Sequence, residues 1–156
     1  MMPCFTSERT ISYFANPADF DEKERAVLAR AAATWNEVVG APDLLRLYRG
    51  YSATHSISKE PAEVSGGTAL FGNYDHGRWR VTGRNITLSP KLRKMNLYNT
   101  ILHEFGHAIG LDHGPGVMGG YLSVDVQGNP LPASRLKISE SEGSELRVWV
   151  ASWGAA

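Results

Sequence analysis

Hydrophobic and polar residues alternate near the start of the chain in a way that predicts a strand followed by a long helix. Residues 10–14 (Thr-Ile-Ser-Tyr-Phe) are rich in the β-branched and aromatic side chains that strands favour. Within residues 19–39, the apolar positions recur along one helical face, at Val27, Leu28, Ala31, Trp35 and Val38. Asp19 or Asp21 can cap the start of this helix, and Gly40 can end it.

Shorter apolar runs and two further helical patterns complete the predicted fold. The segments that predict strands are 44–51, 68–71, 78–82 and 85–89. Residues 52–67 are polar and predict mostly loop, and residues 73–77 predict a turn. Helices are predicted over 96–110 and 139–153. This order of elements predicts an α+β fold, in which a mixed, mostly parallel twisted sheet packs with two long helices and a C-terminal helix, as one domain over residues 1–156.

Charge and composition narrow the possible classes of function. Sixteen basic and sixteen acidic residues cancel, so no net field favours nucleic acid or an anionic membrane. No apolar run approaches the roughly 20 residues of a membrane span. Cys4 is the single cysteine, so an intrachain disulfide is excluded. No signal peptide is visible at the start, which leaves the location of the protein open.

The motif that carries chemistry lies in the predicted helix 96–110 and just beyond it. Residues 103–113 read His-Glu-Phe-Gly-His-Ala-Ile-Gly-Leu-Asp-His, which matches the long form of the two-histidine zinc-helix pattern. Helical residues advance about 100° each, so His103 and His107 lie one turn apart on the same face and can reach one ion. The apolar residues on another arc are predicted to pack against the sheet; they are Leu97, Ile101, Phe105, Ala108 and Ile109.

A third ligand requires the chain to turn after this helix. A continued helix would point His113 away from His107, whereas Gly110 can break the helix and bring His113 back to the ion. Three histidines leave one zinc position open for water, which is the arrangement of a catalytic site. Glu104 is placed to take a proton from the zinc-bound water and return it to a leaving group. The pattern therefore predicts one catalytic Zn²⁺ and hydrolysis.

Residues 103–118 resemble the metzincin clan of zinc peptidases, and they are most similar to the matrixin-like catalytic domains. In that clan the third histidine follows a glycine turn, as His113 follows Gly110 here. A methionine turn then lies beneath the metal, and residues 116–119 resemble it. By this resemblance, Met118 forms an apolar floor under the histidines and is not a ligand. The resemblance implies a zinc metalloendopeptidase, an extracellular location and a possible but unassigned calcium ion.

The same resemblance implies how a substrate would bind. An extended peptide would pair with an exposed sheet edge, for which the backbone of Ala69, Leu70 and Phe71 is the candidate. A plain structural strand is the alternative for that segment. The residues after Met118 would line the pocket beside the cleaved bond, and the apolar Leu122 indicates a hydrophobic preference there. Tyr121 comes three residues after Met118, where some relatives have a tyrosine two residues after, so its role is open between the metal site and the surface.

Two other classes of function fit the same metal motif. One is a zinc-binding recognition module without catalysis, and the presence of Glu104 argues against it. The other is a zinc hydrolase of a non-protein amide or ester, which would use the same metal chemistry. The expected partner in the favoured interpretation is a peptide or protein substrate in extended conformation. We expect neither nucleic acid binding nor a membrane span, and we expect the protein to be a monomer.

Overall fold

The fold consists of a five-stranded sheet with two long helices packed on it. The computed structural model describes residues 10–48, 55–60, 66–75, 78–90, 92, 94–109, 111, 118, 143–144 and 147. In chain order the elements are β1 (Ile11–Ala15), α1 (Glu22–Val39), β2 (Leu45–Tyr48), β3 (His55–Lys59), β4 (Gly66–Asp75), β5 (Arg78–Leu88) and α2 (Lys94–Ile109). In the part of the chain that is described, no helix is long and apolar enough to cross a membrane.

The sheet is mixed and mostly parallel, as the sequence predicts. Its strand order is β2-β1-β3-β5-β4. β1 runs parallel to β2 and to β3, and β3 runs parallel to β5. β4 runs antiparallel to β5 and, within the described residues, β5 is its one neighbour. β4 therefore forms an edge of the sheet, and the predicted α+β class is confirmed.

Both ends of α1 are stabilised by local signals that the sequence carries. The Asp21 side chain accepts a hydrogen bond from the Glu24 backbone N–H at 2.8 Å, and the Glu24 side chain accepts one from the Asp21 N–H at 3.2 Å. This is a capping box, which satisfies two N–H groups that a helix start leaves without partners. At the other end, Gly40 has a φ of 75°, a left-handed conformation that glycine adopts without strain.

The core lies between one face of the sheet and the two helices. Alternate residues of β1 are buried, and the Tyr13 ring lies 5.5 Å from the Phe105 ring of α2. The α2 residues predicted to pack on the sheet are all buried, at 2% exposure or less: Leu97, Ile101, Phe105, Ala108 and Ile109. From α1, Trp35 is fully buried, and its indole Nε1 donates a hydrogen bond of 2.7 Å to the Leu102 carbonyl oxygen. α2 therefore packs against the sheet and is also hydrogen-bonded to α1.

One row of paired residues crosses the helix-facing side of the sheet. The strand register pairs Ala15 with Ile57, Ile57 with Ile86, and Ile86 with Thr68. Ala15, Ile57 and Ile86 are buried apolar residues. Directly paired residues of neighbouring strands lie on the same face of a sheet. The row therefore ends at the edge strand in a hydroxyl-bearing side chain, on the side where α2 packs.

The structure describes residues 55–60 and 66–67 of the segment 52–67, for which the sequence predicts mostly loop. That prediction is wrong for residues 55–59 and for residues 66 and 67, which lie in strands. Residues His55–Lys59 form β3, which pairs with parallel strands on both sides. Its buried positions are filled by His55 and Ile57, and a histidine in a core position hides the usual apolar alternation. Gly66 and Gly67 begin β4 and pair with Leu88 and Thr87. Pairing with neighbours distant in the chain overrides weak local strand propensity here.

The β4–β5 hairpin differs from the prediction in two further ways. The predicted turn over residues 73–77 is wrong for Asn73 to Asp75, which continue β4, while residues 76 and 77 lie outside the described part. The two predicted strands 78–82 and 85–89 form the single strand β5. The register pairs Phe71 with Gly83 but Gly72 with Val81, so Thr82 is an extra residue at a β-bulge. That extra residue shifts the alternation and makes one strand look like two.

The C-terminal helix predicted over 139–153 lies almost entirely outside the described residues. Three residues of that segment are described, Gly143, Ser144 and Arg147, and all three are helical. Arg147 donates a hydrogen bond of 2.9 Å from Nη1 to the Val38 carbonyl oxygen in the last turn of α1. Arg147 therefore contacts α1 at the end that Gly40 closes.

Candidate active site

The helix α2 carries the predicted site, and it ends where the motif requires a turn. α2 ends at Ile109, and the Leu111 N–H bonds to the Gly106 carbonyl oxygen at 3.0 Å. A bond from an N–H to the carbonyl five residues earlier is typical of a Schellman helix end, where a glycine commonly stands one residue past the helix. Gly110 occupies that place in the sequence, and it lies outside the described residues.

The two histidines of the motif converge on one point. His103 is buried and His107 is half-buried, and their Nε2 atoms lie 3.0 Å apart. The two rings are perpendicular, with centroids 4.6 Å apart. Two ligands of one tetrahedral zinc, each at about 2.0–2.1 Å, lie about 3.3 Å apart, so the donor set and spacing fit a shared zinc ion. Two imidazole nitrogens this close require a proton or a cation between them.

The second ring nitrogen of His107 shows which nitrogen is available as a ligand. His107 Nδ1 lies 2.7 Å from the Leu111 carbonyl oxygen. A carbonyl oxygen accepts hydrogen bonds only, so Nδ1 carries the hydrogen and donates it. In the neutral imidazole, Nε2 then keeps its lone pair and faces His103. A backbone carbonyl that fixes the tautomer in this way is typical of metal-binding histidines.

Glu104 lies beside the two histidines and is itself buried. The residue is 5% exposed, and its Oε1 lies 4.0 Å from His103 Nε2. Its other carboxylate oxygen, Oε2, accepts a hydrogen bond of 2.5 Å from the Thr68 hydroxyl. A buried carboxylate is stable only with such partners, because burial removes its hydration. One oxygen thus faces the histidine pair while the other is bound to the edge strand.

Met118 contacts the same helix from another direction. It is fully buried, and a Cβ added at Gly106 would collide with Met118 Sδ and lie 2.9 Å from Met118 Cε. Gly106 lies between His103 and His107 in the chain. Because it has no side chain, the Met118 thioether can pack directly against the helix backbone there. A polarisable, adaptable side chain suits such an irregular contact. The predicted methionine turn over 116–119 lies otherwise outside the described residues.

Thr68 is a site residue that the sequence interpretation missed. Its segment was a strand candidate, but no motif relates a threonine in a strand to a glutamate in a helix 36 positions away. Thr68 pairs with the buried Ile86, so it occupies an inward position of the strand where an apolar residue would be expected. Recognising it requires the strand register and the packing of α2 on β4.

Several predicted site residues are not brought together by the described part of the structure. His113, Tyr121 and Leu122 lie outside it. Within the described residues, no group of three histidine, cysteine, aspartate or glutamate side chains could hold a metal. The backbone of residues 69–71 lies in the edge strand β4, where the sequence predicted an exposed strand. Of the three predicted ligands, the structure describes His103 and His107.

Comparison with known proteins gives information on the fold. Neither the family models nor the curated proteins give a match to the sequence. Among solved structures, the chain is similar to High choriolytic enzyme 1 (HCE-1), a hatching enzyme zinc-protease from Oryzias latipes (medaka fish). The TM-score is 0.56, with 13% sequence identity, over 95% of this chain and 94% of that chain. The chain therefore shares its overall fold, at a distance, with a zinc protease.

Proposed function

We propose that this protein is a zinc-dependent endopeptidase. The observation that supports this most directly is the convergence of His103 Nε2 and His107 Nε2, 3.0 Å apart, beside the buried carboxylate of Glu104. A site that only binds metal has no need of a buried carboxylate next to its ligands. The similarity of the fold to a zinc protease adds support at the level of architecture. The matrixin-like subfamily remains a prediction from the sequence.

His103 and His107 would hold the zinc, with His113 as the predicted third ligand. When bound, zinc supplies Lewis acidity, which polarises a carbonyl oxygen and lowers the pKa of water towards about 7. Glu104 would accept a proton from the attacking water at Oε1 and return it to the leaving amine nitrogen. Leu111 would hold the His107 ring through its carbonyl oxygen. Met118 would exclude water from the helix backbone beneath the histidines.

The edge strand β4 offers a way to bind an extended peptide. Its backbone lies at the border of the sheet, and Thr68 connects it directly to Glu104. A peptide that pairs with this edge would therefore lie near the proposed base. Main-chain hydrogen bonds from residues 69–71 would supply affinity with little dependence on sequence. The residues after Met118, including Tyr121 and Leu122, are the proposed source of side-chain preference.

The test is cleavage of a quenched-fluorescent casein by the zinc-loaded protein. We expect cleavage that stops with a zinc chelator and returns when zinc is added. Glu104→Ala should lose activity by at least about 100-fold, which is the lower range of general acid–base contributions. Glu37→Ala, which removes an exposed glutamate of α1, should keep full activity and serves as the matched control.

The other outcomes separate the competing functions. A folded, zinc-loaded wild-type protein that cleaves neither casein nor small amides and esters would be a recognition module. Cleavage of small amides or esters alone would make it a hydrolase of non-protein substrates. Equal cleavage by wild type and Glu104→Ala would contradict the role of this carboxylate.

Edge-strand binding has its own measurement. Hydrogen–deuterium exchange on Glu104→Ala, with and without a casein-derived peptide, should show slower exchange in β4 when the peptide is present. Exchange in α1, which contacts β2 at the opposite edge of the sheet, should stay unchanged. Protection confined to other segments would exclude β4 as the peptide-binding edge.

A further inference from the structure

The hydroxyl of Thr68 makes a short contact with the proposed base that no motif describes. Thr68 Oγ1 lies 2.5 Å from Glu104 Oε2 and 3.2 Å from the Glu104 carbonyl oxygen. An O–H···O⁻ hydrogen bond to a carboxylate typically measures 2.5–2.7 Å, and it is roughly twice as strong as a bond between neutral groups. The contact joins the edge strand β4 to α2 at Glu104, the proposed base.

The contact makes the two carboxylate oxygens of Glu104 inequivalent. Oε2 accepts the Thr68 hydroxyl, whereas Oε1 faces His103 Nε2 at 4.0 Å. The terminal torsion of a glutamate side chain is broad and roughly two-fold, so the carboxylate can rotate when nothing holds it. A donor fixed on Oε2 limits this rotation and keeps Oε1 directed towards the histidine pair.

Thr68 is well suited to hold that donor in place. It pairs with Ile86, which is fully buried on the helix side of the sheet. Its β-branched side chain has few accessible rotamers, so the hydroxyl keeps its direction. Gly67 precedes it, and β4 lies at the edge of the sheet. The residue therefore connects the proposed peptide-binding edge and the proposed base in one rigid contact.

We propose that Thr68 is a positioning residue, which orients the Glu104 carboxylate for proton transfer at Oε1 and fixes it relative to the edge strand. The proposal rests on the proposed peptidase function. The Thr68 hydroxyl bonds to Glu104, so in this assignment Thr68 acts through Glu104. It should therefore affect the rate of turnover more than the binding of substrate.

The kinetic test compares Thr68→Val, Thr68→Ser and Thr87→Val. Valine has the shape of threonine without the hydroxyl, and serine keeps the hydroxyl. Thr87 lies next to Ile86 on the opposite face of the sheet, so Thr87→Val is the matched control. With a fluorogenic peptide built on a casein bond that wild type cleaves, Thr68→Val should lower kcat about 10-fold to 100-fold with KM unchanged. Thr68→Ser should restore most of kcat, and Thr87→Val should match wild type.

A second experiment tests the Thr68–Glu104 contact without catalysis, from melting temperatures of the zinc-free protein. Thr68→Val should lower the melting temperature of the wild-type background, because a buried carboxylate loses its donor. The same substitution in a Glu104→Ala background should change the melting temperature less. An equal shift in both backgrounds would mean that Thr68 stabilises the strand independently of Glu104, and it would overturn the proposal.

The remaining outcomes distinguish this proposal from the proposed function. An active wild type with an unchanged kcat in Thr68→Val would overturn the role of Thr68 and leave the peptidase standing. A raised KM at unchanged kcat would assign Thr68 to substrate binding and also overturn it. A wild type that cleaves no protein substrate would overturn the peptidase, and the positioning role would fall with it even if the stability cycle showed coupling.

Discussion

Trp35 and Leu102 are joined by a buried hydrogen bond of 2.7 Å, from the indole Nε1 to the main-chain carbonyl oxygen. Leu102 directly precedes His103, so the bond ties α1 to the zinc-helix pattern at the start of the motif. Trp35 also lies 3.1 Å from where a Cβ on Gly106 would stand. One fully buried tryptophan thus packs along the turn of α2 that carries Glu104.

Removing that hydrogen bond should destabilise the protein measurably. Trp35→Phe loses the indole donor and part of the buried ring, and we expect a loss of about 2–4 kcal/mol in the free energy of unfolding. Urea unfolding of the zinc-free protein measures it. Tyr98→Phe is the control, because it removes a part-buried hydroxyl contact of 2.9 Å with Thr34 between the same helices. A smaller loss is expected there, and equal losses would contradict the importance of the buried bond.

Gly106→Ala should destabilise the protein although alanine favours helices. The helix propensity alone would stabilise by about 1 kcal/mol. The added Cβ would collide with Met118 Sδ, and crowding in a packed core typically costs about 1–3 kcal/mol. In a Met118→Ala background the cost of Gly106→Ala should shrink or reverse sign. A stabilised single variant in thermal unfolding would show that Met118 moves aside without cost.

Zinc should stabilise the protein through the two histidines. A ligand at 100 times its Kd adds about 2.7 kcal/mol, which raises Tm by about 5–10 °C in a domain of this size. The shift should disappear in His103→Gln and in His107→Gln. His55→Gln serves as the control, because His55 is a buried histidine of β3. The His55→Gln variant should keep the zinc-dependent shift even if it melts at a lower temperature without zinc. Loss of the shift in His55→Gln alone would place the metal elsewhere.

Arg147 should stabilise the C-terminal end of α1. The last turn of α1 carries no basic residue, and Arg147 donates to the Val38 carbonyl oxygen at 2.9 Å. Arg147→Ala should lower the free energy of unfolding by about 0.5–1 kcal/mol at low salt, and by less at high salt. Arg46→Ala is the control, since Arg46 and Asp43 form an exposed pair at 3.9 Å. A salt-independent loss in Arg147→Ala would assign the effect to packing.

The sequence alone determined the elements that rest on local patterns. The apolar stripe and capping residues of α1 predicted that helix to within a few residues, because helix formation depends on neighbours three and four positions apart. The same periodicity placed His103 and His107 on one face of α2. The mixed, mostly parallel sheet also followed from the order of strands and helices.

Tertiary structure alone decided the contacts between residues distant in the chain. β3 carries too few apolar residues to predict a strand, and it forms because β1 and β5 pair with it on both sides. Position 106 requires a glycine because Met118 packs against it, and this contact is visible only in the folded structure. Thr68 reaches Glu104 because strand register and helix packing bring together residues 36 positions apart. Local sequence patterns carry no information on such distances, since long-range pairing is set by the packing of the whole domain.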